Sequence, residues 1–199
     1  MKLYGNLNSG NCYKVRLLLS YLGVPYAYDN IDAPHGGTRT PEFLAINPAG
    51  QIPVLKLDDG RILAESNAIM AFLAEDTPYM PANAFDRAKA LQWMFWEQYK
   101  HEPAIAVARF ISFYAPEREG DLPGLLEKGR AALSVMEGHL RTSAWFAGAG
   151  PSIADIALYA YTHVAEDAGF KLPDFPQVHA WCDRMAEHPK HVLMTDLPA

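Results

Sequence analysis

One short stretch of this 199-residue chain carries side chains suited to holding an anion, and two others stand out beside it. Ser9, Gly10 and Asn11 lie in "YGNLNSGNCYKV", Tyr4 to Val15, where strand-like residues give way to a helical pattern. A helix start presents unpaired N–H groups and about half a positive charge, so a hydroxyl and a side-chain amide there, with a glycine that allows close backbone approach, favour a bound anion. Glu65-Ser66 also precedes a helical run, and Ile52-Pro53 opens an alternating one. Each stretch has a structural reading too. Serine before a helix is a common N-cap, Glu65-Ser66 fits the cap of a helix beginning near Asn67, and Pro53 fits a strand's first residue in trans.

The elements that position these residues follow from periodicity. "KLYGN" (Lys2 to Asn6) reads as a strand, and Val15, Leu18, Leu19 and Leu22 repeat at helical spacing up to Gly23, a C-terminal stop. "PYAYDNID" (Pro25 to Asp32) reads as a second strand, "APHGGTRTP" as loop, and "TPEFLAIN" as a short helix with Thr40 as N-cap and Pro41 at its first position. "PVLKL" and "RILAE" flank an Asp58-Asp59-Gly60 turn and predict a hairpin. "NAIMAFLAED" closes the region as a helix burying Ile69, Met70, Phe72 and Leu73. The order β-α-β-α-β-β-α over residues 1–76 is that of a thioredoxin-like domain.

A proline-bearing linker, 77–84, separates this from an all-α domain expected over 85–199. Its helices are an aromatic-rich one with Pro103 as kink or break, "LPGLLEKGRAALSVMEGHLRTS", "IADIALYAYTHVAEDAG" and "FPQVHAWCDRMAEHP". Ser152 and Asp155 predict a capping box on the third. The fold class expected is therefore α+β in two domains.

Composition narrows the function. A net charge of −6 with 20% charged residues offers no broad positive field for nucleic acid. No run reaches the ~18 apolar residues of a membrane helix, the N-terminus lacks a signal-peptide pattern, and the expected compartment is the cytoplasm. Cys12 and Cys182 are too few for a disulfide framework, and the seven histidines show no zinc spacing, so no metal is expected.

"SGNCYKVRLLL", "NPAGQIPVL", "ILAES" and "SIADIAL", in that order, resemble the cytosolic glutathione transferase family over essentially the whole chain. The active-site turn is similar to the serine-type bacterial, theta-like and zeta-like enzymes, although "SGNC" departs from the zeta group's usual "SSCS". The resemblance implies that Ser9, with Gly10 and Asn11 beside it, activates the glutathione thiol. It implies that Glu65 and Ser66 bind the γ-glutamyl carboxylate and amine, and that Pro53 is cis, turning the Ile52 backbone toward the cysteinyl unit. Arg39 and Gln51 become candidates for the glycyl carboxylate. Tyr99, Pro103, Val107 and Phe110 become candidates for a wall beside a small hydrophobic electrophile, with Trp93, Phe95, Trp96 and Tyr99 also fitting core or subunit contact.

The implied protein is a glutathione transferase that conjugates the glutathione thiolate to small hydrophobic electrophiles, and the resemblance implies a homodimer. Two other functions fit the same residues: a glutathione-dependent disulfide reductase or peroxidase, and a non-catalytic glutathione-binding regulatory module. Cys12 occupies the second position of the thioredoxin C-x-x-C, whose first cysteine is Ser9 here, so a dithiol cycle is excluded. Cys12 reads as structural or as a thiol acidified by the helix.

Overall fold

The amino-terminal alternation becomes a four-stranded mixed sheet in the computed structural model, which describes residues 1–197. Strand β1 (Lys2–Gly5) runs parallel to β2 (Ala27–Asn30) and antiparallel to β3 (Val54–Lys56), which pairs antiparallel with β4 (Ile62–Ala64), giving the order β2-β1-β3-β4. Leu3, Val54 and Leu55 are fully buried in it. The second strand is shorter than the Pro25–Asp32 run expected, because β1 offers it four residues to pair with.

Helices α1 (Gly10–Leu22), α2 (Pro41–Ile46) and α3 (Ser66–Ala74) complete this thioredoxin-like unit. Gly23 ends α1 in the left-handed conformation, φ 68°, with its N–H on the Leu19 and Ser20 carbonyls. Thr40 caps α2 by accepting from the Phe43 N–H. Expectation gave α1 one buried face, yet every residue from Cys12 to Leu19 is buried, including Lys14 and Arg16. The sheet and α3 cover part of the helix, Lys14 reaching Asn67 of α3, and the segment 189–197 covers Tyr13, Arg16 and Ser20, whereas the sequence placed everything after residue 84 in the helical domain.

The other unit, Asp76–His188, is helical. It contains α4 (Ala84–Trp96), α5 (Glu102–Tyr114), α6 (Leu122–Leu140), α7 (Ile153–Thr162) and α8 (Pro176–Ala186). The break expected at Pro103 is a π-helical turn, Glu97–His101, between α4 and α5. Pro103 has no N–H for the Tyr99 carbonyl and its ring crowds that oxygen, so the wider turn precedes it. The expected helix over residues 153–169 stops at Thr162, and a 3₁₀ turn, Ala165–Ala168, leads into Gly169 at φ 89°. The capping box is present on α7. Asp155, fully buried, accepts from the Ser152 N–H and Oγ at 2.9 Å each and from Phe146 N–H and Trp181 Nε1 at 3.1 Å each, tying cap, loop and α8 together.

Candidate functional site

Strand register brings the three sequence stretches to one end of the sheet. Tyr4 at the end of β1 pairs with Val54 at the start of β3, and Val54 pairs with Ala64 at the end of β4. The Asn6–Asn11 turn, the Ile52-Pro53 approach to β3 and Glu65-Ser66 after β4 therefore emerge together. Both α1 and α3 begin there, so two sets of unpaired helix N–H groups share that end.

Ser9 is the N-cap of α1, with φ −86° and ψ 118°, and its Oγ accepts from the Cys12 N–H at 3.3 Å. A hydroxyl has one proton and two lone pairs, so a capping Ser9 can also donate, and its side chain is hydrogen-bonded to the Cys12 thiol as well. The first turn of α1 has no acidic residue, so no side chain of its own neutralises the positive helix end. Asn11 faces α3: its Oδ1 accepts from Ser66 Oγ at 3.3 Å.

Asn6 was not singled out from sequence, yet it sets the turn that carries Ser9. Its carbonyl accepts from Ser9 N–H at 3.1 Å, its Oδ1 from Asn8 N–H at 3.0 Å, and its Nδ2 donates to the Ile31 carbonyl at 3.0 Å. Its own N–H reaches Cys12 Sγ at 3.4 Å. Burial pushes the Cys12 thiol up to about 11, so it stays protonated at neutral pH and serves the turn as a packed, weakly accepting side chain. Of the two readings open for Cys12, the structural one stands.

The Ile52-Pro53 peptide is cis. Among the described residues the Ile52 backbone N–H and C=O make no hydrogen bond, which leaves both to a ligand with a peptide backbone. Asn47 shapes the preceding loop: its Nδ2 donates to the Gln51 carbonyl at 2.8 Å and its Oδ1 accepts from Ala49 N–H at 3.2 Å. The Asn-Pro dipeptide was a turn signal available in the sequence. Arg39 lies over Gly50, whose φ is 62° and whose added Cβ would sit 2.4 Å from Arg39 Nη1. Arg39 and Gln51 are both exposed beside this loop.

Glu65 holds the N-cap position of α3 but makes no side-chain cap bond, so the capping role open to it is not the one adopted. Its φ of 67° is a left-handed conformation that a non-glycine residue adopts at a cost of order 1–3 kcal/mol. Strain of this kind concentrates where a side chain must be aimed, and it leaves an exposed carboxylate beside the buried Ser66.

The electrophile candidates lie in the helical unit. Tyr99 and Pro103 line a cavity of about 550 Å³ with Trp96, Lys100, Lys128 and Val135. Val107 and Phe110 continue the Pro103 face of α5 at i+4 and i+7 but are not among the lining residues of that cavity. Trp93 is buried, whereas Phe95 and Tyr99 are 71% and 76% exposed, so the aromatic cluster divides between core and surface. No helix among the described residues is long and apolar enough to cross a membrane, and no group of three or more His, Cys, Asp or Glu there could hold a metal.

Residues 8–76 match the model of the glutathione S-transferase N-terminal domain, and residues 94–189 that of the glutathione S-transferase C-terminal domain. A crystal structure of a glutathione S-transferase from Pseudomonas fluorescens Pf-5 superposes with a TM-score of 0.95 at 50% identity, covering 98% of each chain. Ure2p in complex with glutathione superposes with a TM-score of 0.81 at 25% identity, over 95% of this chain and 90% of that one. Among curated proteins, the disulfide-bond oxidoreductase YfcG of Escherichia coli K12 is 30% identical over 90% of this chain and 87% of its own. Sequence motifs, sheet register and these likenesses agree, and the chain belongs to the glutathione S-transferase family.

Proposed function

We propose that the protein binds glutathione at the sheet end described above and transfers its sulfur to small hydrophobic electrophiles. The observation that supports this most is the convergence of Ser9, the Ile52 backbone before a cis proline, and Glu65-Ser66 at the two helix starts. The groups fit the tripeptide's chemistry. Glu65 offers a carboxylate to the γ-glutamyl amine, and Ser66 with the α3 N–H groups offers donors to its carboxylate. Ile52 offers a backbone edge to the cysteinyl unit, while Arg39 and Gln51 face the glycyl carboxylate. Ser9 donates its hydroxyl proton to the sulfur, with Gly10 and Asn11 beside it.

A hydrogen bond to a charged acceptor contributes ~1.5–3 kcal/mol, or about one to two pKa units. A fall in thiol pKa from ~8.5 to ~6.5 raises the thiolate fraction at pH 7 about 25-fold, while a Brønsted slope near 0.45 lowers intrinsic nucleophilicity roughly eightfold. The net gain is about threefold. Positioning of the electrophile must therefore supply most of the rate, and the apolar helical surface around Tyr99, Pro103, Val107 and Phe110 is where we place it. The thiolate forms a carbon–sulfur bond as a leaving group departs, or adds to an activated alkene that then takes a proton. A second copy of the chain is the partner, and glutathione and electrophile are the small-molecule ligands.

The likeness to a disulfide-bond oxidoreductase favours a second reading. There the glutathione thiolate attacks a disulfide sulfur, expels a thiolate, and a second glutathione resolves the mixed disulfide. With Cys12 buried and protonated, such a cycle runs on glutathione alone.

The deciding experiment follows the thiolate ultraviolet absorbance of bound glutathione against pH. Turnover of 1-chloro-2,4-dinitrobenzene is then compared with that of 2-hydroxyethyl disulfide. An acid-shifted thiolate with faster aryl conjugation supports the transferase. An acid-shifted thiolate with faster disulfide turnover moves the protein to the second reading, and binding without any shift leaves a regulatory module.

A further inference from the structure

Arg16 sits on the helix that begins after Ser9, and it is 2% exposed. A guanidinium does not shed its proton inside a protein, so burying it demands acceptors. Its Nη1 donates to the Met194 carbonyl at 2.8 Å and its Nη2 to the Asp196 carbonyl, while the Tyr28 ring lies 5.7 Å from Cζ. Nε has no partner, and no carboxylate pairs with Arg16 among the described residues.

The acceptors belong to a carboxy-terminal strap laid along α1. Ser20 Oγ donates to the Lys190 carbonyl and Tyr13 OH to the Val192 carbonyl, each at 2.7 Å, so Tyr13, Arg16 and Ser20 form a row on one helix face. The strap closes on itself, with Leu193 N–H on Asp196 Oδ2 at 2.6 Å and Asp196 N–H on the Leu193 carbonyl at 3.1 Å. Among the described residues, backbone carbonyls thus shield the cation from water and add no formal charge to it.

A buried charge with no carboxylate partner among the described residues keeps its reach. Arg16 is about 10 Å along the helix axis from Ser9, and helical side chains tilt toward the N-terminus. At an effective dielectric constant of about 20, a unit charge at about 10 Å shifts an anion's pKa by roughly one unit. Cys12, in the first turn, already feels it: the Arg16 charge opposes the upward push of burial there. Tyr26 and Tyr28 face the guanidinium too, and burial pushes both up, so they stay neutral. From the strap, His191 Nε2 lies 3.2 Å from Tyr13 OH, and the exposed Asp196 spends a carboxylate oxygen on Leu193.

On the reading that Ser9 holds the sulfur, we propose that Arg16, sealed by the carboxy-terminal strap, is a positioning residue whose buried charge favours the anionic sulfur at the start of α1. The test is the pH midpoint of thiolate absorbance for glutathione bound to the wild type, Arg16→Gln and Arg16→Lys. Gln keeps donors for the strap carbonyls without the charge, and Lys keeps the charge. The midpoint should rise by about one unit in Arg16→Gln and by much less in Arg16→Lys. Thermal stability should fall in both, so a purely structural role would move melting temperature and leave the two midpoints alike. If Arg16→Gln does not fold, citrulline at the same position, isosteric and neutral, carries the same expectation. An acid-shifted wild type unchanged by removing the charge would overturn this proposal alone. A wild type with no acid-shifted thiolate would overturn the Ser9 reading and this proposal with it.

Discussion

Ser9 and Ser152 occupy the same local position, each the N-cap of a helix, and their surroundings differ. Ser152 is 1% exposed, and Asp155 in the first turn of its helix accepts from both its N–H and its Oγ. That N-terminus is closed by its own side chains. Ser9 is half-buried, its helix has no first-turn acid, and its Oγ accepts from the Cys12 N–H at 3.3 Å. A cap completed internally closes its helix end, whereas a cap with no first-turn acid leaves the positive helix end without a charge of its own helix.

The comparison is most strongly tested at Asp155. Asp155→Ala leaves three buried N–H donors without their acceptor, and the unfolding free energy in urea should fall by about 3–5 kcal/mol, more than loss of a cap alone. A loss near 1 kcal/mol would make this cap no stronger than an ordinary one.

Cys12 provides the next effect, through pH. Its thiol is pushed from an ordinary value of 9.0 to about 11 by burial, so the native state holds the proton longer than the unfolded state. The stability this contributes is complete below about pH 9 and is lost as pH rises through about 11. The difference in unfolding free energy between wild type and Cys12→Ala should shift by about 2 kcal/mol, against the wild type, between pH ~8 and pH ~10.5. A difference independent of pH would show that the thiol ionises as readily in the folded turn as in the open chain.

The two serines should then separate by readout. Ser152→Ala should cost about 1–2 kcal/mol of stability and leave the thiolate midpoint of bound glutathione where it was. Ser9→Ala should cost about 1 kcal/mol or less and raise that midpoint by one to two units. Equal midpoints in the two variants would erase the distinction. The smallest effect belongs to Arg39, whose exposed guanidinium makes one long bond, 3.4 Å to the Ala49 carbonyl. Arg39→Ala should raise the KM for glutathione by about threefold in steady-state kinetics, and an unchanged KM would remove it from the site.

Much of the site was legible because its signals are local. Thr40, Gly23 and the Asp58-Asp59-Gly60 turn mark element ends by their own backbone preferences, and the capping box needs only Ser152 and Asp155. The side-chain bridges of Asn6 and the strap were not legible, whereas Asn47 carried a turn signal in its Asn-Pro dipeptide that went unused. An asparagine in a polar turn looks the same whether its amide bridges two loops or faces water, and Lys14 and Arg16 in "YKVR" look like solvent-facing charges. The end of the helix over residues 153–169 was missed because its apolar pattern runs on past Thr162, while the chain turns at Val164 and Gly169.

By itself, then, the sequence determined the order of elements, the two-part architecture and the serine at the start of the first helix, since each is written in contacts between near neighbours. Only the tertiary structure decided which charges are buried and which serine cap is closed by a buried carboxylate. Arg16 is covered by carbonyls 178 and 180 residues away, and the Ser9 turn is brought to the same sheet end as Ile52 and Glu65-Ser66 by the pairing of β1, β3 and β4 and by the Asn11–Ser66 bond. Burial and convergence are set by such long-range contacts, and these have no local pattern to read.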